Sequence, residues 1–311
     1  RIHFQLDVYD YSVETTAEEL IIVGTHGLKI THIGKDFYKT CASDIMKTLI
    51  LRSHLITKME GLDGFQQLTT LELYDNQISV LENLNNNVTN DDEELDIKNC
   101  TRIPPNIISN NDFSFGLPGR TIQILDLSYN VIRDMEPVRY CPNLIELYLA
   151  NNKIKEVKGL SKLHKLRKLD LGANRIRTMP HDTDEEEFSS TLEELWLGKN
   201  KIEVIQGLEK LEKLRRLDVQ ANRLTAIDGL TTQVDTLEEL YLSHNAIDNT
   251  GASQPTGLAL PLSKLTVLDL SKNRISSTEP FAHLMTSLEE LWLSSNNIEN
   301  FEQLKYISLA A

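Results

Sequence analysis

Leu195-Trp-Leu-Gly-Lys-Asn200-Lys-Ile202 is the stretch that decides the fold, through its pattern Leu-x-Leu-x-x-Asn-x-Ile. The pattern returns from Leu147 to Ile154 and from Leu169 to Ile176. Its Asn recurs mostly at intervals of 22 or 23 residues, with longer gaps that mark loops. The nine positions are Asn76, Asn130, Asn152, Asn174, Asn200, Asn222, Asn245, Asn273 and Asn296. Nine copies at near-constant spacing indicate that one structural unit is repeated along the chain.

Each part of this unit has a physical interpretation. Leu-x-Leu is typical of a short strand with both leucines inward and the middle residue outward. The Asn amide can turn inward and satisfy backbone groups that the strand leaves unpaired. Because 22 residues leave room only for a turn or a 3₁₀ segment on the way back, the sequence predicts an α/β repeat. It is a leucine-rich-repeat solenoid, a horseshoe of about eleven 22-residue units with a parallel β-sheet on its concave face and 3₁₀ or turn segments on its convex face.

The repeats predict one leucine-rich-repeat domain over residues 1–311. Two weaker units precede Asn76, with His54 and His26 in the Asn position, and the first takes Ile21 and Val23 as its inward pair. We expect residues 1–45 to be an N-terminal cap with a weak first repeat, and residues 86–119 to be a loop insertion within a repeat. We expect no C-terminal cap.

The charge of the chain restricts its partners. Lys and Arg number 32 against 46 Asp and Glu, a net charge of −14, which predicts no nucleic-acid partner and no membrane surface and favours a basic patch on a protein. An alternative is that the acidity only keeps the protein soluble. The three cysteines are widely separated, so a disulfide framework or a zinc site is not expected, and a reducing compartment fits best.

The motifs of common enzymes are missing from the sequence. Gly198-Lys-Asn-Lys lacks the spaced glycines and the Ser or Thr of a phosphate loop. The histidines show no metal-ligand spacing, and no Gly-x-Ser-x-Gly occurs. We therefore predict no catalysis, no metal and no cofactor.

The middle residues of the Leu-x-Leu strands predict where a partner binds. From Asp126 onward they alternate acid and aromatic, and both tryptophans of the chain lie in this row. Exposed aromatics among charges are typical of interface hot spots. Alternatively, large residues could pack across neighbouring strands and the acids could pair with nearby cations such as Lys168 and Arg216. The predicted partner-binding residues are Asp126, Tyr148, Asp170, Trp196, Asp218, Tyr241, Asp269, Glu290 and Trp292, of which Glu290 belongs to a flanking row.

The residue sequences of individual units resemble those of one family. Leu195-Trp-Leu-Gly-Lys-Asn-Lys-Ile202, Gln220-Ala-Asn-Arg-Leu224 and Leu240-Tyr-Leu-Ser-His-Asn245 are similar to the leucine-rich-repeat regulatory subunit 7 family of protein phosphatase 1. The resemblance runs from about residue 48 to 304 without the insertion. It implies a non-catalytic regulator of phosphatase activity, maturation or localisation, whose concave face binds the protein phosphatase 1 catalytic subunit.

The resemblance carries further expectations. It implies a possible ternary complex with the inhibitor-3 protein and a location in nucleus and cytoplasm, and we expect the free protein to be a monomer. The family matches Asp126, Asp170, Asp269, Glu290 and Trp292 by position, as well as Tyr148 and Trp196, which stand where the family often has Phe. The family's last aromatic contact has no counterpart before Ala311.

Two alternatives use the same repeat. One is an adaptor for another protein client, such as a ciliary, centrosomal or splicing-type scaffold. The other is a secreted adhesion protein, for which the glycosylation sequons at Asn87 and Asn99 would be relevant.

Overall fold

Twelve strands form one sheet in chain order in the computed structural model. The structure describes residues 11–25, 29–34, 37, 44–62, 64–81, 119–180, 188–248, 262–279 and 287–307. The strands are β1 Tyr11–Thr15, β2 Glu19–Gly24, β3 Thr48–Arg52, β4 Thr70–Glu72, β5 Ile124–Asp126, β6 Glu146–Tyr148, β7 Lys168–Asp170, β8 Glu194–Trp196, β9 Arg216–Asp218, β10 Glu239–Tyr241, β11 Val267–Asp269 and β12 Glu290–Trp292. β1 is antiparallel to β2, and every later pair is parallel. The predicted solenoid of about eleven units with a parallel sheet is confirmed.

Leucines on the inner face of the sheet build a continuous core. In β7 the middle residue Leu169 is fully buried, and Leu171 just after the strand is buried beside it. Equivalent leucines of the neighbouring units lie in register, for example Leu169 with Leu195. No unit encloses its own leucines, so the stability of the chain comes mainly from contacts between neighbours.

A left-handed backbone residue follows each strand from β3 to β12, directly before the ladder residue. The residue before the ladder Asn has a positive φ, for example 52° at Ala173 and 56° at Lys199. The Asn then bridges two units. In Asn152, Oδ1 accepts the backbone N–H of Ile132 at 2.9 Å, and Nδ2 donates to Leu127 O and Leu149 O at 3.0 Å. All nine asparagines repeat this arrangement.

His54 takes the ladder position in the unit of β3, as predicted. The N–H of Ile30 donates to His54 Nδ1 at 3.3 Å, and His54 Nε2 lies 3.2 Å from Ile22 O. With the proton on Nε2, the ring satisfies one donor and one acceptor, as the Asn amide does. The other histidine assigned to this role, His26, lies outside the described residues.

The predicted register of the first unit is wrong by one residue. Leu20 and Ile22 are buried and pair with Leu49 and Leu51 of β3, whereas Ile21 lies on the outer face. The sequence runs Leu-Ile-Ile-Val, so an alternating pattern fits either register. Only the neighbouring strand selects one, because a slip by one residue exchanges the two faces.

Glycines allow the return segments to stack closely. Gly159 and Gly229 have φ of 77° and 72°, and a Cβ on either would lie 2.4 Å from a backbone oxygen of the preceding unit. In the described residues, the segments Glu136–Tyr140 and Phe301–Ile307 form 3₁₀ helices outside the sheet. No helix in the described ranges has the length and apolarity to cross a bilayer.

The ends and the insertion stay as predictions. β1 pairs along one edge of the sheet, next to β2, but a capping role for residues 1–45 is not tested by this arrangement. The expected insertion falls almost wholly on residues 82–118, outside the described part. At the other end, Leu291 and Leu293 of the β12 unit are only partly buried.

Candidate protein-binding face

The residues between the two leucines of each Leu-x-Leu form one row on the outer face of the sheet, which we call the central row. Strand register places Asp126 beside Tyr148, Tyr148 beside Asp170, and Asp170 beside Trp196. The alternation continues without a break to the end of the sheet. The structure therefore brings together eight of the nine predicted residues in the central row, completed by Asp218, Tyr241, Asp269 and Trp292.

The four aspartates of the central row also hold the turns that follow their strands. In each unit Oδ1 accepts the backbone N–H two residues later, at 2.8 Å in Asp170 and 2.9 Å in Asp218. Asp126 and Asp269 make the same bond to Ser128 and Ser271. A carboxylate has a second oxygen, and in Asp218 this oxygen also accepts a hydrogen bond from Gln220 Nε2 at 2.9 Å.

Burial makes two of these carboxylates, Asp170 and Asp218, costly to ionise. Asp218 is only 9% exposed. Desolvation raises the pKa of Asp170 and Asp218 above the ordinary value, against the lowering effect of the turn hydrogen bonds. Repulsion adds to it, because Asp218 lies between the charges of Asp170 and Asp269. A cation placed over the row would relieve this repulsion.

The two tyrosines are oriented by glutamates on their own strands. Tyr148 donates its hydroxyl proton to Glu146 Oε2 at 2.7 Å, and Tyr241 donates to Glu239 Oε2 at the same distance. Burial, with the hydrogen bond and the charge of Glu239, raises the pKa of Tyr241 to about 12. Both phenols are therefore neutral at physiological pH, and each ring is fixed before any partner arrives.

The two tryptophans differ in how freely they can contact a partner. Trp292 is 49% exposed. Trp196 is partly buried, and the guanidinium carbon of Arg216 lies 6.0 Å from its ring centroid. One face of Trp196 is thus engaged by a cation of the same chain, so Trp292 is the more accessible anchor.

Cations and acids alternate in the row that precedes the central row by two residues. Lys168 Nζ lies 3.5 Å from Glu194 Oε1, and Arg216 Nη2 lies 2.6 Å from Glu239 Oε1. The hydrogen bond from Arg216 lowers the pKa of Glu239. The predicted residue Glu290 belongs to this row, but its register partner on β11 is Val267. Glu290 is exposed and has no such cation beside it on the sheet.

Sequence reasoning missed an aromatic pair at one edge of this face. The rings of Tyr74 and Tyr129 lie 4.9 Å apart between centroids, with planes tilted by 50°. The signal was present, because each is a large aromatic at a repeat position where most other units carry small or polar residues. The contact itself could not be predicted from the spacing, because residues 82–118 lie between the two units in the sequence.

In the described residues, no group of three or more His, Cys, Asp or Glu side chains is arranged to hold a metal ion. Cys141 is a buried free thiol whose pKa is raised to about 12 by burial. Such a thiol is a packing residue, since the reactive form is the thiolate.

Family comparisons agree with the repeat assignment. A family model described as Leucine Rich repeats (2 copies) matches residues 142–182, 190–232 and 263–306. A second, Leucine Rich repeat, matches residues 236–253. Together these matches lie on the part of the chain where the acids and aromatics alternate.

Among the similar proteins, a plant protein has a more specific description than a leucine-rich repeat. The chain is 35% identical over 187 residues to the Arabidopsis thaliana protein phosphatase 1 regulatory inhibitor subunit PPP1R7 homolog, covering 58% of this chain and 54% of the relative. It is 40% identical over 57 residues to leucine-rich repeat-containing G-protein coupled receptor 5 of Rattus norvegicus, 18% of this chain and 6% of the receptor. The chain thus spans about half of the phosphatase-related protein and a small part of the receptor.

Solved structures share the fold. The chain is similar to an internalin of Listeria monocytogenes, with a TM-score of 0.67 and 22% identity, over 93% of this chain and 71% of the internalin. A leucine-rich-repeat protein of Leptospira interrogans gives a TM-score of 0.62 and 20% identity, over 91% and 74% of the two chains. At this identity the likeness concerns architecture alone. The repeats and the fold show that the chain is a leucine-rich-repeat solenoid, and the plant relative shows that it is similar to a regulatory subunit of protein phosphatase 1.

Proposed function

We propose that the chain is a non-catalytic scaffold that binds the protein phosphatase 1 catalytic subunit through the central row and so controls its activity, maturation or localisation. The family match supports the identity of the partner, and the alternating row supports the place where it binds. The central row is the main support for the proposal. Along eight successive strands it presents acidic side chains to a basic protein surface and aromatic rings to the apolar part of that surface.

The physical roles of the two residue types differ. The aromatic rings supply contact area, and truncation of such anchors typically costs ~2 kcal/mol or more of binding free energy. The aspartates select cationic partners and speed the encounter, since complementary charge acts mainly on association and specificity. The net charge of −14 acts in the same direction.

The remaining parts of the proposal follow from the family. The free chain is a monomer that acts in the nucleus and cytoplasm, and the catalytic subunit is bound alone or in a ternary complex with the inhibitor-3 protein. A stoichiometry measurement on the purified chain, with and without both proteins, tests the monomer and the ternary complex directly.

Binding of the purified catalytic subunit tests the proposal. Affinity is measured by biolayer interferometry for the wild type, for Trp292→Ala, and for a double variant with Trp196→Ala. We expect Trp292→Ala to weaken binding by about 30-fold, the equivalent of ~2 kcal/mol. Val204, which is 54% exposed in a return segment, provides the control Val204→Ala. The proposal would be contradicted if the wild type did not bind the catalytic subunit, or if the double variant bound it as tightly as the Val204→Ala control.

A further inference from the structure

Tyr74 lies on the same outer face as the central row but extends it sideways. It lies two residues beyond Glu72, the last residue of β4, and the buried Leu73 between them points to the opposite face. Most other units carry a small residue at the equivalent position, so their side chains project little from this edge of the sheet. These small residues are Ser128, Ala150, Gly172, Gly198, Ser243, Ser271 and Ser294.

Tyr129 is the second large residue at this edge. It occupies the left-handed position before the ladder Asn, with φ of 57°, and is 47% exposed. The other units place smaller or flexible polar residues there, such as Ser53 and Ser295. The left-handed conformation is common to these units, so the fold requires it, and the exceptional feature of Tyr129 is its large aromatic side chain.

Strand pairing brings these two exceptions together. Glu72 pairs with Asp126, and the N–H of Asp75 donates to Ser128 O at 3.0 Å, so the edges of the two units are locked side by side. The rings then meet at 4.9 Å between centroids. The result is a two-ring platform on the rim of the candidate face, next to the first acid of the alternating row.

The platform lies in a negative environment. Burial raises the pKa of Tyr74, and the nearby charges of Asp75 and Asp126 raise it further. Glu72 is already paired with Arg52. Asp75 is exposed, and the second oxygen of Asp126 has no hydrogen bond within the described part of the chain. Two carboxylates are therefore placed to receive a cation that rests on the rings.

Guanidinium is the group that fits this arrangement. Its flat face stacks on an aromatic ring while its edge donates to carboxylates, which an ammonium does less well. The chain already contains one example, since Arg216 lies over Trp196 and also binds Glu239. No equivalent cation of the chain covers the Tyr74–Tyr129 pair among the described residues.

We propose that Tyr74 and Tyr129 form a seat for an arginine side chain of the protein that docks on the central row. The seat depends on the proposed function for the identity of that protein, but its chemistry is independent of it. An arginine held here would fix the docked protein at the β4–β5 edge, far along the sheet from the exposed Trp292.

Two serine variants test the seat with changes that the fold already uses. Ser occurs at the equivalent positions of other units, so Tyr74→Ser and Tyr129→Ser should retain the fold, which thermal melting verifies. The matched control is Tyr140→Ser, because Tyr140 is 45% exposed in the 3₁₀ helix Glu136–Tyr140 away from the sheet. With the phosphatase catalytic subunit as probe, each seat variant should weaken binding about fivefold to 30-fold and the control should not.

A peptide experiment separates this proposal from the proposed function. Octa-arginine and octa-lysine are titrated into the full chain with labelled tyrosines, and ring resonances are followed by NMR. We expect Tyr74 and Tyr129 to shift with octa-arginine at lower concentration than with octa-lysine, while Tyr140 stays unchanged.

The outcomes then divide clearly. If the catalytic subunit does not bind the wild type but octa-arginine shifts both rings, the proposed function fails and the seat stands. If the rings do not respond, or respond equally to octa-lysine, the arginine seat is overturned. It is also overturned if both serine variants bind the catalytic subunit with wild-type affinity.

Discussion

The side-chain oxygen of Asn152 accepts the backbone N–H of Ile132, a residue of the preceding unit, at 2.9 Å. The same amide donates to backbone oxygens of both units, at Leu127 and Leu149. Asn152 therefore joins two neighbouring repeats through groups that are buried from water. This relationship makes the ladder the part of the fold where a single substitution should cost most.

We expect Asn152→Ala to lower the free energy of unfolding by about 3 kcal/mol, because it leaves one donor and two acceptors of the backbone buried without their partner. Chemical denaturation measures the change. The adjacent substitution Asn151→Ala is the control, since Ala173 and Ala221 hold the same left-handed position with φ of 52°. Equal losses for the two variants would mean that the ladder bonds contribute little.

The close approach of the return segments predicts a second site of high cost. Gly159→Ala would place a Cβ 2.4 Å from Glu136 O in a backbone with φ of 77°. We expect a loss of about 2 kcal/mol or more. A Cβ on Gly34 would have no neighbouring atom within 4 Å, so Gly34→Ala should change stability by about 0.5 kcal/mol at most. Similar melting temperatures for both variants would contradict the packing argument.

His54 should make the first units sensitive to acid. Its Nδ1 must stay unprotonated to accept the N–H of Ile30, and burial lowers its pKa below the ordinary 6.5. Protonation then favours the unfolded chain, so stability falls as pH drops below about 6.5. His54→Asn installs the amide used by the other units. The variant should lose less stability than the wild type between pH 7.5 and 5.5 in denaturation curves; parallel pH profiles would refute this role.

Stability and binding should respond in opposite directions at Asp218. Asp218→Asn keeps an oxygen that can accept the N–H of Gln220 but removes a charge that burial and neighbouring acids disfavour. Because the folded-state pKa is raised, the aspartate is most favourable at low pH and loses stability as pH rises through that pKa. We expect the variant to melt higher at pH 7, and the gain to vanish below about pH 3.9, where the carboxyl is neutral in both states.

The same variant should bind the phosphatase catalytic subunit more weakly, because one carboxylate of the central row is lost. Asp235→Asn is the matched control, since Asp235 is exposed and its substitution removes an equal charge outside the row. A variant that melts higher and still binds like Asp235→Asn would show that Asp218 serves the turn and not the partner.

Much of the candidate site was readable from the sequence because strand alternation is local. Once Leu217 and Val219 face inward, Asp218 faces outward, and the period aligns it with Trp196 and Tyr241. What the sequence did not reveal was how each group is already engaged. The turn bond of Asp218 and the cover of Arg216 over Trp196 depend on side-chain positions that no spacing specifies.

The sequence by itself determined the period, the inward leucines, the Asn ladder and the identity of the outward row, because these follow from the residues of a single unit. The tertiary structure decided everything that depends on which unit lies beside which. It selected Leu20 and Ile22 over Ile21 as inward residues of the first unit, since only the partner strand fixes the register. It also brought Tyr74 against Tyr129 across more than fifty residues of chain, because stacking places side chains by unit order and not by their separation in sequence.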